Sequence, residues 1–198
     1  NANNIATAGA GINRDKAAAP AILERKGVKV GFLAFNAMGM FVGPASDHYP
    51  GIAHIRVNPL YDFPYMDQWD VKFFKERVKA LAKEVDLVVT SLHWGITGYT
   101  VQACQKALAR EAIDAGAGLV IGTHPHSIQG IEVYKGKVIL YGMCNFGMDH
   151  SNAQELHEVG NETMVFECSI VDGKTVEPAV KVGVLHVADG RDVPELFL

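Results

Sequence analysis

Long apolar runs are missing from this chain of 198 residues. None approaches the roughly 18 consecutive apolar residues of a membrane-crossing helix, and the first residues lack the basic, apolar and small-residue order of a secretory signal. The chain opens at Asn1 without a Met, so a processed or truncated N-terminus is expected. Cysteine is scarce. Cys104, Cys144 and Cys168 are odd in number, widely spaced and without a C-x-x-C pair, which argues against a disulfide framework and against a zinc ribbon. Cys104 falls on the apolar stripe of a helix and Cys168 in a strand-like run, and both read as small buried hydrophobes. A basic excess is also missing. Eighteen Lys and Arg against 22 Asp and Glu leave a formal charge of −4, which gives no electrostatic reason to bind nucleic acid or an anionic membrane.

What is present is an ordinary globular composition, 48% hydrophobic and 20% charged, long enough for one domain with a sizeable core. Gly9-Ala10-Gly11 reads as a turn, and residues 14–19 as a short helix stopped by Pro20. Residues 28–35 form a buried strand by their β-branched and aromatic content, with Glu24-Arg25-Lys26-Gly27 as a polar lead-in. Asp67 can cap a helix reaching about Glu84, since Val71, Phe74, Val78 and Leu81 recur at three- and four-residue steps. A strand over residues 86–92 follows. Then comes a helix with Thr100 as its cap, a stripe of Val101, Cys104, Leu108, Ala112 and Ala115, and Gly116 as its left-handed end. A strand over 119–121 precedes two hairpins, turned at Lys135-Gly136 and Asp172-Gly173. The pattern is βαβα followed by antiparallel strands, an α/β fold with mixed sheets.

Between residues 36 and 65, glycines and prolines interleave with Phe41, Tyr49, Tyr61, Phe63 and Tyr65. So long an irregular stretch is uncommon inside a compact domain, and its aromatic content argues against disorder. Two readings stand side by side: a loop over the mouth of a site, with aromatics lining the approach, or a loop covering a sheet edge.

The chemistry concentrates between residues 86 and 126. Two apolar strands end in Ser91-Leu92-His93-Trp94-Gly95 and in Gly122-Thr123-His124-Pro125-His126. Open α/β sheets bind ligands at the carboxyl ends of their strands, so His93, His124 and His126 are expected to converge. Pro125 pushes His124 toward an extended backbone, where residues two apart point the same way. Neutral imidazole is a common ligand for Zn, Mn and Fe. An H-x-H pair alone is a weak signal, and His93 alone reads equally as a hydrogen-bonded structural histidine.

These residues carry a resemblance. The two histidine segments, with Ile113-Asp114-Ala115-Gly116-Ala117, Gln129-Gly130-Ile131-Glu132 and Tyr141-Gly142-Met143-Cys144-Asn145-Phe146, resemble the bacterial capsule-synthesis proteins of the poly-γ-glutamate (CapA) family. Gly9-Ala10-Gly11 with Asn13, Ala17 and Pro20, ahead of Gly27-Val28-Lys29-Val30, resembles that family too. The resemblance covers most of residues 5–147. It implies a calcineurin-like metallophosphatase fold, a four-layer α/β/β/α sandwich with a two-metal site. It implies His93, His124 and His126 as metal ligands, the last two on different metals. It makes Asn145 and Trp94 candidate substrate contacts. It also implies two divalent ions (Mn, Fe or Zn) in the complete protein, a polymer or phosphate-ester substrate, capsule machinery associated with the membrane, and a cell-envelope or extracytoplasmic setting.

The departures are informative. Thr97 stands where that family carries an acidic residue, and Thr123 where it often has a first histidine. The family's early Gly-Asp, second acidic and Asn-Asn-His motifs have no counterpart, since Asn3-Asn4 is followed by Ile5. The expectation is therefore a single domain over residues 1–198, N-terminally incomplete, whose carboxylate ligands lie upstream. Asp149 and His150 are local substitutes or members of a solvated loop. The functional expectation is a phosphoesterase-like centre in capsule production. The alternatives are a non-catalytic scaffold that binds polymer, and a metal-dependent hydrolase of another ester or amide.

Overall fold

Three two-residue turns share one backbone signature. Lys26-Gly27, Lys135-Gly136 and Asp172-Gly173 all have positive φ at both positions, the type I′ geometry whose twist matches that of the strands it joins. A computed structural model of the chain describes residues 5–38, 43–146, 162–188 and 191–196, and these turns close its three main hairpins.

The elements run β1 (Ala10–Gly11), α1 (Arg14–Ala17), β2 (Ala21–Arg25), β3 (Val28–Ala37), β4 (Gly51–Ile52), β5 (Val57–Asn58), β6 (Tyr65–Met66), α2 (Gln68–Leu81), β7 (Leu87–Trp94), α3 (Ala103–Ala115), β8 (Leu119–Thr123), β9 (Ile131–Tyr134), β10 (Lys137–Leu140), β11 (Glu162–Val171), β12 (Lys174–Ala188) and β13 (Arg191–Leu196). The main sheet has six strands in the order β2-β3-β7-β8-β10-β9. Its four inner strands are parallel, and β2 and β9 are antiparallel edges. As expected, the strands around Phe35, Leu92 and Ile121 share one sheet. Strands β9 and β10 complete it, and β11-β12-β13 form a second sheet.

Alternation along β7 separates the two faces. Val88, Leu92 and Trp94 join the core beneath α2 and α3, while Leu87 and Val89 face Met164 and Phe166 of β11. Helices, mixed sheet and second sheet are thus three layers of an α/β sandwich. In the helix-side core Phe74 of α2 meets Phe35 of β3 edge to face at 5.0 Å. Full burial of such a ring contributes roughly 1.5–3 kcal/mol. Asp67 caps α2 as expected, accepting from the Trp69 and Asp70 amides. Gly116 ends α3 in the left-handed conformation at φ 119°.

Several local expectations are corrected. Helix α3 starts at Ala103, not after Thr100, because the Gln102 amide donates to Gln105 Oε1 at 2.8 Å and that pair forms the cap. Ala10 and Gly11 pair with Gly51 and Ile52 rather than forming a free turn. Residues 21–25 are a strand, which the polar Glu24 and Arg25 disguised, since β2 is an exposed edge. Cys104 is buried but Cys168 is only partly so. Of the 36–65 stretch, Phe41 lies outside the described residues, as do Asp149 and His150.

Candidate functional site

The carboxyl ends of β3, β7 and β8 lie side by side. Asn36 pairs in register with His93, and His93 with Thr123. His93 has the parity of Leu87 and Val89, so its ring leaves the face turned away from the helices. Its Nδ1 lies 3.3 Å from Thr123 Oγ1. The next three residues then fold the chain back on itself. The rings of His93 and His124 stand 4.8 Å apart between centroids, and those of His124 and His126 stand 6.0 Å apart. The three imidazoles are brought together, as the sequence predicts.

The means differ from the expectation. His124 has φ 93° and His126 φ 54°, so the H-P-H segment is bent through left-handed positions rather than extended. The preference imposed by Pro125 is overridden by tertiary anchoring. The Gly98 amide donates to Pro125 O at 2.9 Å, the Met143 amide to Gly122 O at 3.2 Å, and the Cys144 thiol to His126 O at 3.2 Å. Non-glycine residues at positive φ cost about 1–3 kcal/mol where the fold over-determines them, and they gather at functional sites.

A buried amide ladder ties the two histidine-bearing loops together. Gln105 Nε2 donates to Gln129 Oε1 at 3.0 Å, and Gln129 Nε2 donates to Gly98 O at 2.8 Å and Thr100 O at 3.1 Å. Both glutamines are almost completely buried. Behind the histidines Trp94 is turned into the core with 1% of its surface exposed. Its indole N–H donates to Tyr141 O at 2.9 Å, and its ring stacks on Tyr141 at 5.9 Å. In this geometry Trp94 braces the turn after His93, and its side chain presents no surface to a substrate. Tyr141 in turn donates to Glu132 Oε2 at 2.6 Å, and Arg110 to Glu132 Oε1 at 3.0 Å.

Asn145 is placed beside the site. Its Oδ1 lies 2.7 Å from His126 Nδ1. A carbonyl oxygen only accepts, so Nδ1 carries the hydrogen and Nε2 keeps its lone pair. Burial, with the cationic forms of His93 and His126 as further causes, lowers the His124 pKa to about 4. Burial, then His126, also lowers that of His93. At neutral pH both rings are uncharged and hold lone pairs, the form that binds a metal. Among the described residues no three His, Cys, Asp or Glu groups already close around a common point as a metal shell does.

Two residues near the site escaped the sequence reading. Asn36 is 9% exposed, and its Oδ1 accepts from the Met38 amide at 3.2 Å and from His54 Nδ1 at 3.2 Å. The only available signal was that Asn36 ends a strand adjacent to the one carrying His93. The 36–65 stretch does reach the site. A cavity of about 460 Å³ beside His124 is walled by Met38, Val57, Pro59 and Leu60 from that stretch and by Ile96 and Thr97. Among the described residues its lining holds no Phe, Tyr or Trp, and Asn58 and Thr97 are its polar side chains beside His124. Tyr61 instead stacks on Phe63 at 5.0 Å and meets Tyr65 edge-on. A larger cavity of about 1080 Å³ lies between the two sheets. Its wall includes Val30, Phe32, Val89 and Phe166, with Arg25, Glu167 and Glu177, and none of the three histidines.

Residues 1–150 match the family model described as bacterial capsule synthesis protein PGA_cap. The PGA biosynthesis protein CapA of Bacillus subtilis is 35% identical over 118 residues, which are 56% of this chain and 31% of that protein. The capsule biosynthesis protein CapA of Bacillus anthracis is 44% identical over 66 residues, 32% of this chain and 16% of that protein. A probable polyglutamine synthesis accessory protein of Mycobacterium tuberculosis is 43% identical over 58 residues, 29% of this chain and 15% of that protein. The matched part therefore spans about a third or less of these relatives. A crystal structure of a hypothetical protein from Thermus thermophilus shares the fold, with a TM-score of 0.51 at 17% identity, over 82% of this chain and 60% of that one.

Proposed function

Because this chain belongs to the bacterial capsule synthesis protein PGA_cap family, we propose that it works in making a capsule polymer of the poly-glutamate kind, with His93, His124 and His126 serving a metal-dependent, phosphoesterase-like centre. The observation that carries this reading is the meeting of three imidazoles at the carboxyl edge of two adjacent parallel strands, with the tautomer of one fixed by Asn145. The donor set fits a divalent ion of the Mn, Fe or Zn type. Neutral imidazoles are suitable ligands, and a hydrogen bond to the far ring nitrogen is the usual partner of a metal-bound histidine.

Bound metal would supply Lewis acidity and an activated water for attack on a phosphate ester or related group. The chain's own residues hold and aim the ligands. Thr123 contacts the His93 ring, Asn145 orients His126, and the Gln105–Gln129 ladder locks the two loops in register. The cavity beside His124 offers the substrate an aliphatic wall with Asn58 and Thr97 as polar contacts. Three imidazoles alone do not hold two divalent ions, so a two-ion site requires carboxylates as well. The reading puts that protein at the cell envelope with the polymer-building machinery. No helix among the described residues is long and apolar enough to cross a membrane.

The test is metal stoichiometry of the full-length protein, wild type and His126→Ala, followed by a panel of phosphomonoesters, phosphodiesters and amides. Bound metal lost in His126→Ala, with hydrolysis of a phosphate ester, is the expected result. Hydrolysis of amides alone would redirect the chemistry. No metal in the full-length protein would leave a polymer-binding scaffold.

A further inference from the structure

A second cleft of about 280 Å³ has none of the three histidines in its wall and is lined in part by Arg14, Ser46, His54, Arg56 and Trp69. Its polar groups are unevenly committed. Arg56 is used up within the fold, since its guanidinium grips Asp70 at 2.6 and 3.2 Å and Asp67 at 3.0 Å. Arg14 is not. Its guanidinium lies over the Trp69 ring at 4.3 Å, and its ion-pair partner Asp47 stands at 3.9 Å, beyond hydrogen-bond reach. Trp69 is in turn stacked parallel on Phe73 at 5.7 Å. An arginine stationed over an indole keeps its planar fork of N–H donors, whose geometry matches a carboxylate.

The neighbouring groups set the rest of the pattern. His54 gives its Nδ1 hydrogen to Asn36, so Nε2 is an acceptor. Ser46 Oγ accepts from the His48 and Tyr49 amides at 3.3 and 3.0 Å, which leaves its hydroxyl hydrogen to donate. The Arg14 amide donates to Ser46 O at 2.8 Å and fixes the two sides of the cleft together. A ligand complementary to this wall brings a carboxylate for Arg14, an N–H for His54, a carbonyl oxygen for Ser46 and an aliphatic stem for the exposed Trp69 ring. An inorganic anion supplies only the first of these.

We propose that the Arg14–Trp69–His54 cleft is a binding site for an amide-linked chain bearing side-chain carboxylates, through which the protein holds a glutamyl polymer. The choice of polymer rests on the function proposed above, but the cleft contains none of the three histidines, so its binding stands or falls separately from the metal reading.

The probes are a γ-linked glutamate oligomer, an α-linked glutamate oligomer, monomeric glutamate and inorganic phosphate, titrated into the chain with excess chelator present. Trp69 is half exposed and Trp94 is buried, so tryptophan emission should report on the cleft, and Trp69→Phe should abolish the signal. The expected result is saturable binding of an oligomer that survives chelation, at least tenfold tighter than monomeric glutamate or phosphate. Arg14→Gln should weaken it at least tenfold. Arg14→Lys keeps the charge and the stem but loses the fork. It should weaken binding several-fold, and it carries the test if Arg14→Gln does not fold by circular dichroism. Preference between the two oligomers tells which backbone the cleft takes, and either preference supports the proposal. Failure of both oligomers to bind, equal binding of phosphate, loss of binding on chelation, or wild-type affinity in the Arg14 variants would overturn it.

Discussion

Asn145 Oδ1 sits 2.7 Å from His126 Nδ1, and this contact leaves the imidazole one usable lone pair, on Nε2. The consequence is measurable in the full-length protein. With His126 in the metal centre proposed above, Asn145→Ala should weaken metal binding by about 10- to 100-fold, the usual effect of losing such a partner, while leaving the fold intact. Competitive titration against a chromogenic chelator measures it. Unchanged affinity in Asn145→Ala would mean that His126 is oriented by other means or is not a ligand.

Gly122 lies where β8, Trp94 and Tyr141 meet. A Cβ there would fall 2.1 Å from Tyr141 O and 2.5 Å from Trp94 Nε1, and neither the carbonyl nor the buried indole is mobile. Gly122→Ala should therefore break the Trp94–Tyr141 hydrogen bond and destabilise the chain by about 1–3 kcal/mol, the range for overpacking. Urea unfolding gives the magnitude. A red-shifted Trp94 emission in the folded variant would locate the damage. A loss below a few tenths of a kcal/mol would contradict this account.

These two positions also show what the sequence could convey. The parallel strands and both longer helices were legible because their apolar periodicities are strong, and the convergence of His93, His124 and His126 followed from their places after two such strands. The bend at His124 was not legible. It depends on hydrogen bonds from Gly98, Met143 and Cys144, and local rules about the residue before proline do not include distant donors. Asn36, His54 and the Gln105–Gln129 ladder were hidden for the same reason. Isolated polar residues acquire meaning only when the fold supplies their partners. Trp94 was misplaced because its motif gave its neighbour's position but not the face its own side chain takes.

The backbone of His124 makes a prediction independent of metal. At φ 93° a Cβ is strained, whereas glycine is not. His124→Gly should thus be more stable than His124→Ala by about 1 kcal/mol, the reverse of the order at an ordinary loop position. Paired urea titrations compare the two directly. If the alanine variant proves equally or more stable, the left-handed conformation is not retained in solution.

The metal-free chain should lose stability on mild acidification. His124 is held at about 4 against an ordinary 6.5, by burial first and then by the charges that His93 and His126 would carry. His54 and His93 are also lowered, in both cases chiefly by burial. Above pH 6.5 these rings are neutral in both folded and unfolded chains, so they add no pH dependence. As pH falls below 6.5 the unfolded chain takes up protons that the folded chain refuses, which favours unfolding. For His124 the effect accumulates until about pH 4, where the folded state also protonates. The urea midpoint should therefore fall between pH 7 and pH 4.5 at fixed ionic strength. The fall should be shallower in His54→Gln, which sits in a half-buried pocket beside Asn36, and in His124→Gln. Asp70 faces His54 and favours its cation, whereas only burial and the other two imidazoles act on His124, so the difference in slope for His124→Gln isolates the imidazoles. A wild-type slope unchanged by either substitution would show that these rings are as easily protonated in the folded chain as in the unfolded one.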